Sequence, residues 1–162
     1  MNLLLWRHAE AEDGSPDLQR KLTTRGEQQA RQMAQWLNVH APRHLRILVS
    51  PALRTQQTAN ALGRSYETDA RLAPGGDVDD LLNAAHWPDD ADDEKGRATL
   101  IVGHQPTLGR TASFLLAGYE ASWTVKKGAV WWLSSRQRND ETQTVVQAVI
   151  CCSLLPPLAE GK

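Results

Sequence analysis

The run Leu3-Leu4-Leu5-Trp6-Arg7-His8-Ala9-Glu10 organises the whole chain: an apolar stretch near its start stops abruptly at a cation and an imidazole. A short, continuously apolar segment bounded by charge reads as a strand buried on both faces, the kind found at the centre of a parallel sheet. Its carboxyl end then carries Arg7 and His8, and in open α/β sheets ligands bind beyond that end. The pair suits an anion. A guanidinium offers fixed bidentate donors to phosphate, and a neutral imidazole beside it can act as a nucleophile.

Two further apolar runs repeat the arrangement. Ile47-Leu48-Val49 leads into Ser50-Pro51-Ala52-Leu53-Arg54, with Ser50 placed to N-cap a helix, Pro51 to begin it and Arg54 one turn in. A helix N-terminus at a sheet's carboxyl edge favours anions, and Arg54 adds a cation to that field. Thr99-Leu100-Ile101-Val102 ends at Gly103-His104-Gln105-Pro106. There the glycine permits a sharp bend, His104 emerges at the strand end, and Pro106 opens a helix that buries Leu108, Ala112, Leu115 and Leu116. Taken singly, an arginine on a helix face is a solvated charge and a lone histidine packs more often than it reacts. Three strand ends aimed the same way move Arg54 and His104 to the functional side.

The intervening segments supply the scaffold. Residues 12–21 form a polar loop punctuated by Gly14, Ser15 and Pro16. Thr24 and Glu27 have capping-box spacing ahead of a helix whose buried face is Ala30, Met33, Ala34 and Leu37. His40 and His44 follow in a Pro-containing loop without thiol or acidic neighbours at metal spacing, and read as solvated. Gly63 ends the second helix, and residues 66–72 form a short extended segment. Pro74-Gly75-Gly76-Asp77 is a turn, with Asp77 either capping a helix through Leu81, Leu82 and Ala85 or serving as a proton donor. The acidic run from Asp89 to Glu94 reads as a solvated loop. Beyond Gly118, Ala129–Leu133 and Val145–Ile150 form a hairpin at the sheet's edge around Asn139-Asp140, with Trp131 and Trp132 packing there. The neighbours Cys151 and Cys152 read as buried, reduced thiols in a strand.

These elements add up to a three-layer α/β/α fold with a mostly parallel central sheet and an antiparallel edge hairpin, in one domain spanning residues 1–162. With 18 basic and 19 acidic side chains the net charge is -1, so no polyanion-binding field exists and nucleic acid is not the expected partner. No apolar run approaches a membrane span, and the first one is too short for a signal sequence, so a cytoplasmic location away from membranes is expected. A Gly-x-x-x-x-Gly-Lys loop, which would hold nucleotide phosphates, does not occur.

Four segments carry a resemblance. Arg7-His8-Ala9-Glu10, Leu22-Thr23-Thr24-Arg25-Gly26 with Gln29-Ala30, Ser50-Pro51 with Arg54 and Gln57-Thr58-Ala59, and Val102-Gly103-His104-Gln105-Pro106 resemble, in that order, the motifs of the histidine phosphatase superfamily. With Pro74-Gly75-Gly76-Asp77-Val78 in a short middle segment, the chain looks most like the SixA-type protein-phosphohistidine phosphatases, which have the phosphoglycerate mutase-like fold. The resemblance implies that His8 is the nucleophile and that Arg7, Arg54 and His104 form the phosphate pocket, with Ser50 in the substrate-binding set. Asp77 is the candidate general acid, because relatives carry a Glu or Asp for that task in larger segments than the one between Arg54 and His104. It also implies a two-step phosphoryl transfer without metal or other cofactor, acting on a phosphohistidine-bearing protein or a small phosphate ester. Two alternatives stay open: a mutase-like or broad phosphomonoesterase with a lid and a committed acid, and a non-catalytic module that binds phosphoproteins through the same cationic cleft. Glu10 either orients pocket residues or faces water.

Overall fold

The computed structural model describes residues 1–88, 98–139 and 141–158. Six strands, β1 (Asn2–Arg7), β2 (Leu45–Val49), β3 (Glu67–Thr68), β4 (Ala98–Gly103), β5 (Val130–Arg138) and β6 (Glu141–Ile150), form one sheet in the order β3-β2-β4-β1-β5-β6. The first four are mutually parallel, and β5 and β6 add an antiparallel hairpin beside β1. The opening run is therefore central, with β4 on one side and β5 on the other.

Strand periodicity explains why that run is apolar throughout. Leu4 and Trp6 face one side of the sheet and pack with Met33, Ala34 and Leu37 of α1 (Thr24–His40) and Ala59 of α2 (Leu53–Asn60). Leu3 and Leu5 face the other, against Leu81 and Ala84 of α3 (Val78–Ala85) and Leu108 and Ala112 of α4 (Thr107–Ala117). Burial of each large side chain contributes about 1.5–3 kcal/mol, so neither face of β1 can be polar. The helix after β1 lies on one face and the helix after β4 on the other, although the two strands are neighbours. Their connections thus part at the sheet's carboxyl edge and leave a crevice there.

Local details differ from the sequence expectations. The cap of α1 is Thr23, whose hydroxyl accepts from Gly26 N, and not Thr24: the two threonines offer the same chemistry, and the bond that Thr23 N donates to Glu10 O selects the first. Helix α2 starts at Leu53 and not at Pro51: the Ser50 hydroxyl faces His104 and accepts from Ala52 N at 3.3 Å, and Ala52, still extended, is the residue before the helix. Gly103 remains within β4, and the chain turns at the residues after it. His40 belongs to the last turn of α1, stacked on Trp36 at 4.7 Å, rather than to the loop. Strands β5 and β6 outrun their apolar cores, since backbone pairing continues through polar residues at the exposed end of the hairpin. Cys151 follows β6 and Cys152 opens a 3₁₀ turn, both as free thiols. The acidic run from Asp89 to Glu94 and the turn residue Asp140 lie outside the described residues. Among the described residues no helix is long and apolar enough to cross a membrane.

Candidate active site

Three strand ends meet at the crevice. His8 N donates to Gly103 O at 3.1 Å and Ser50 N to Val102 O at 3.1 Å, so the sheet's hydrogen bonding carries on past β1 and β2 and fixes where these residues emerge. The loop after His8 is clamped from the helices: Ala9 N donates to Thr58 Oγ1 at 3.1 Å and Glu10 N to Gln29 Oε1 at 2.9 Å. Gln57 accepts from Leu22 N at 2.8 Å, and a Cβ on Gly26 would collide with the Glu10 carbonyl. Several residues of the recurring sequence motifs thus hold backbone in place. Glu10 resolves the same way, its carboxylate accepting from Thr23 Oγ1 at 3.0 Å beside the start of α1.

His8 is buried, and its two ring nitrogens have different tasks. Nδ1 lies 2.7 Å from the Ala9 carbonyl, which can only accept, so Nδ1 carries the proton. Nε2 receives Arg54 Nε at 3.3 Å, and a guanidinium can only donate, so Nε2 is bare. Both constraints select one tautomer. Burial pushes the imidazole down to about 4, and the charges of Arg54, Arg7 and Arg20 push the same way against the bond to Ala9 O. The ring is a neutral base with its lone pair aimed into the crevice.

His104 is arranged in reverse. Its Nδ1 faces Arg54 Nη2 at 3.3 Å, while Nε2 lies 2.7 Å from the hydroxyl of Ser50, which is fully buried. Because Arg54 only donates, Nδ1 is bare and Nε2–H donates to Ser50 Oγ. Burial and then the neighbouring His8 and Arg54 lower this histidine to about 3, with Asp17 pulling the other way. The two rings stand 5.2 Å apart and share Arg54 between them.

Arg7 projects from the last residue of β1, with Nη1 donating to Val125 O at 2.7 Å and Nε buried without a partner. An unmade bond of that kind costs about 1–3 kcal/mol. Arg7, Arg20, Arg54 and Lys127 line a cleft of about 320 Å³ together with both histidines, and Asp17 is its one carboxylate among the described residues. Four cations around two neutral imidazoles suit an anion such as a phosphoryl group.

The structure brings Arg7, His8, Arg54 and His104 together and separates two other candidates from them. Ser50 does not line the cleft and sits behind His104. Asp77 is exposed, its Oδ1 accepting from Asp80 N at 2.8 Å as the cap of α3, and it does not line the cleft either. A carboxylate spent on a cap outside the cleft is badly placed to protonate a leaving group. Sequence reasoning missed Asp17 and Arg20. Nothing in the polar loop distinguishes Asp17 from Glu12 or Asp13, and its partner Arg54 lies 37 positions away.

Residues 3–79 match the histidine phosphatase superfamily (branch 1). The chain is 34% identical over 125 residues to the phosphohistidine phosphatase SixA of Escherichia coli, covering 73% of this chain and 76% of that protein. It is 30% identical over 129 residues to a SixA homolog from Haemophilus influenzae, covering 71% and 77%. The solved structure of the protein histidine phosphatase SixA complexed with tungstate superposes with a TM-score of 0.76 at 25% identity, over 94% of this chain and 98% of that one.

Proposed function

The chain belongs to the histidine phosphatase superfamily, and from that premise we propose that it is a phosphatase whose covalent carrier is His8 and whose substrate is phosphohistidine on a protein. The observation that carries this reading is the bare Nε2 of His8, held by Ala9 O behind it and facing the Arg54 guanidinium.

Transfer proceeds in two steps. The bond between phosphorus and the donor's imidazole nitrogen breaks as a bond forms to His8 Nε2. The departing ring takes the electron pair and, already protonated on its other nitrogen, leaves neutral. Arg7 and Arg54 carry the charge on the equatorial oxygens as the group moves. Water then attacks phosphorus and His8 departs in turn as neutral imidazole, its proton still on Nδ1 and donated to Ala9 O; the water's proton goes to phosphate or bulk.

The acid–base inventory favours phosphohistidine over an alkyl phosphate. An alkoxide leaves slowly unless an acid protonates it, and a positioned acid contributes about 10²- to 10⁴-fold. The cleft's one described carboxylate, Asp17, is held below the usual carboxylate range by its bonds to Arg20 and then Arg54, so at neutral pH it has no proton to give. An imidazole leaving group needs none.

The decisive experiment compares donors. The protein incubated with a phosphohistidine-bearing protein should release phosphate with a kcat/KM at least about 10²-fold above that for an unactivated alkyl phosphate. Equal efficiency on both would shift the reading to a broad phosphomonoesterase. Tight binding of the phosphoprotein with no release would shift it to a binding module.

A further inference from the structure

We infer that Asp17 is the positioning residue of Arg54: it grips one edge of the guanidinium so that the other edge stays turned toward the two imidazoles. The inference rests on the reading of the cleft as a phosphoryl site and gives Asp17, so far only excluded as an acid, a task of its own.

A guanidinium has two usable edges, and here they are divided. Nε and Nη2 meet His8 Nε2 and His104 Nδ1, both at 3.3 Å. The end formed by Nη1 and Nη2 is taken by Asp17 alone, whose backbone carbonyl accepts at 2.8 Å and whose Oδ2 accepts at 3.0 Å. Arg54 stands in the first turn of α2 on a long, rotatable side chain, and nothing in the helix itself dictates which edge points inward. The double hold from Asp17 does. Asp17 is in turn secured, since Arg20 Nη1 donates to its Oδ1 at 3.0 Å while Arg20 Nε donates to the Glu12 carbonyl at 2.7 Å. The polar loop of residues 12–21 is thereby a brace that runs from the end of β1 to the arginine on α2.

Two other roles for a carboxylate at this place fit less well. As a proton donor it would need a proton, and both of its oxygens already accept from guanidinium groups. As an anion mimicking the substrate it would occupy the edge facing the imidazoles, whereas it holds the opposite one. Its carboxyl also remains half-exposed at the cleft's wall, where it can stay while a phosphoryl group enters.

The test is a double-mutant cycle read on the rate of His8 phosphorylation in single turnover, with folding checked by circular dichroism. A misplacement of about 1 Å in a catalytic group can cost about 10²-fold, so Asp17→Ala should slow phosphoryl transfer by about 10- to 100-fold, and Asp17→Asn, which keeps one accepting oxygen, by less. In an Arg54→Ala background, the same Asp17→Ala change should cost less than about threefold, because a residue acting through Arg54 has nothing left to position. An undiminished loss in that background would overturn the inference, as would faster turnover by Asp17→Ala, the mark of a competing anion. Should wild type form no phospho-His8, the underlying reading fails and not this one. The ¹⁵N signal of Arg54 Nε–H then tests the brace directly: it should sharpen on tungstate binding in wild type and broaden in Asp17→Ala, and identical spectra would sink it.

Discussion

The ends of β1 and β4 present the same residue type, at the same height and depth, in opposite tautomers. His8 is backed by a carbonyl, which can only accept, so its proton is pinned on Nδ1 and the lone pair stays on Nε2. His104 is backed by the Ser50 hydroxyl, which can accept or donate. In the structure Ser50 accepts from Nε2–H while Nδ1 faces Arg54 bare. If phosphoryl oxygens replace Nδ1 as the acceptor for Arg54 Nη2, a proton on Nδ1 is worth more, and the hydroxyl can turn to donate to Nε2. One histidine is locked by its partner's chemistry and the other is convertible. The neighbouring groups, and not the imidazole itself, set which nitrogen of each ring is bare.

The largest expected effect breaks the comparison at β1. His8→Ala should abolish the acid-labile, base-stable phosphoryl label that brief incubation with a phosphohistidine donor leaves on wild type. Label surviving in the variant would mean that the locked tautomer is not the nucleophile.

At β4 the effect should be smaller and of a different kind. Removing one preorganised oxyanion donor costs about 10²- to 10³-fold, and Ser50→Ala keeps His104 while removing only the group that lets it donate. Its kcat should fall by about tenfold, less than for loss of the donor itself, with substrate affinity nearly unchanged. Long-range ¹H–¹⁵N spectra give the sharper test. In wild type the His104 proton should move from Nε2 to Nδ1 on tungstate binding while His8 does not change, and a His104 proton that stays on Nε2 would refute convertibility.

A third prediction concerns stability. Both imidazoles are held neutral in the fold, at about 4 for His8 and about 3 for His104, against 6.5 for an ordinary histidine. Between pH 6.5 and pH 4 the unfolded chain therefore binds more protons than the folded one, and stability falls as pH falls. Each kcal/mol lost lowers Tm by about 2–4 °C in a protein of this size. The carboxylates held low by arginine partners, Asp17, Glu67 and Asp69, titrate below the usual carboxylate range and leave the window above pH 5 to the histidines. A Tm that does not change between pH 7 and pH 5 would contradict the burial of neutral imidazoles.

The smallest effect belongs to Asp77. As a cap outside the cleft it should leave kcat/KM within about twofold in Asp77→Asn on any substrate, whereas Asp77→Ala should cost about 1 kcal/mol of stability. A large, substrate-dependent loss in folded Asp77→Asn would restore it as an acid.

What could be read beforehand follows from how far each feature reaches along the chain. The buried strands, the helix faces and the convergence of Arg7, His8, Arg54 and His104 were legible because hydrophobic runs report burial and each run ends where its strand ends. Thr23 and Thr24 could not be told apart, since capping depends on which residue is extended when the chain enters the helix, and a contact with Glu10 settles that. Asp17 looked like any other acid in a polar loop until the fold laid that loop against α2. Asp77 carried a correct local signal, the cap, and its distance from the cleft is a property of the fold alone. The amino-acid order by itself determined which side chains reach the sheet's carboxyl edge, because strand and helix periods are local. Which nitrogen of each histidine is bare, and which edge of Arg54 faces them, was decided by tertiary structure, because those choices belong to Ala9 O, the Arg54 guanidinium and Asp17, groups whose positions only the folded chain brings together.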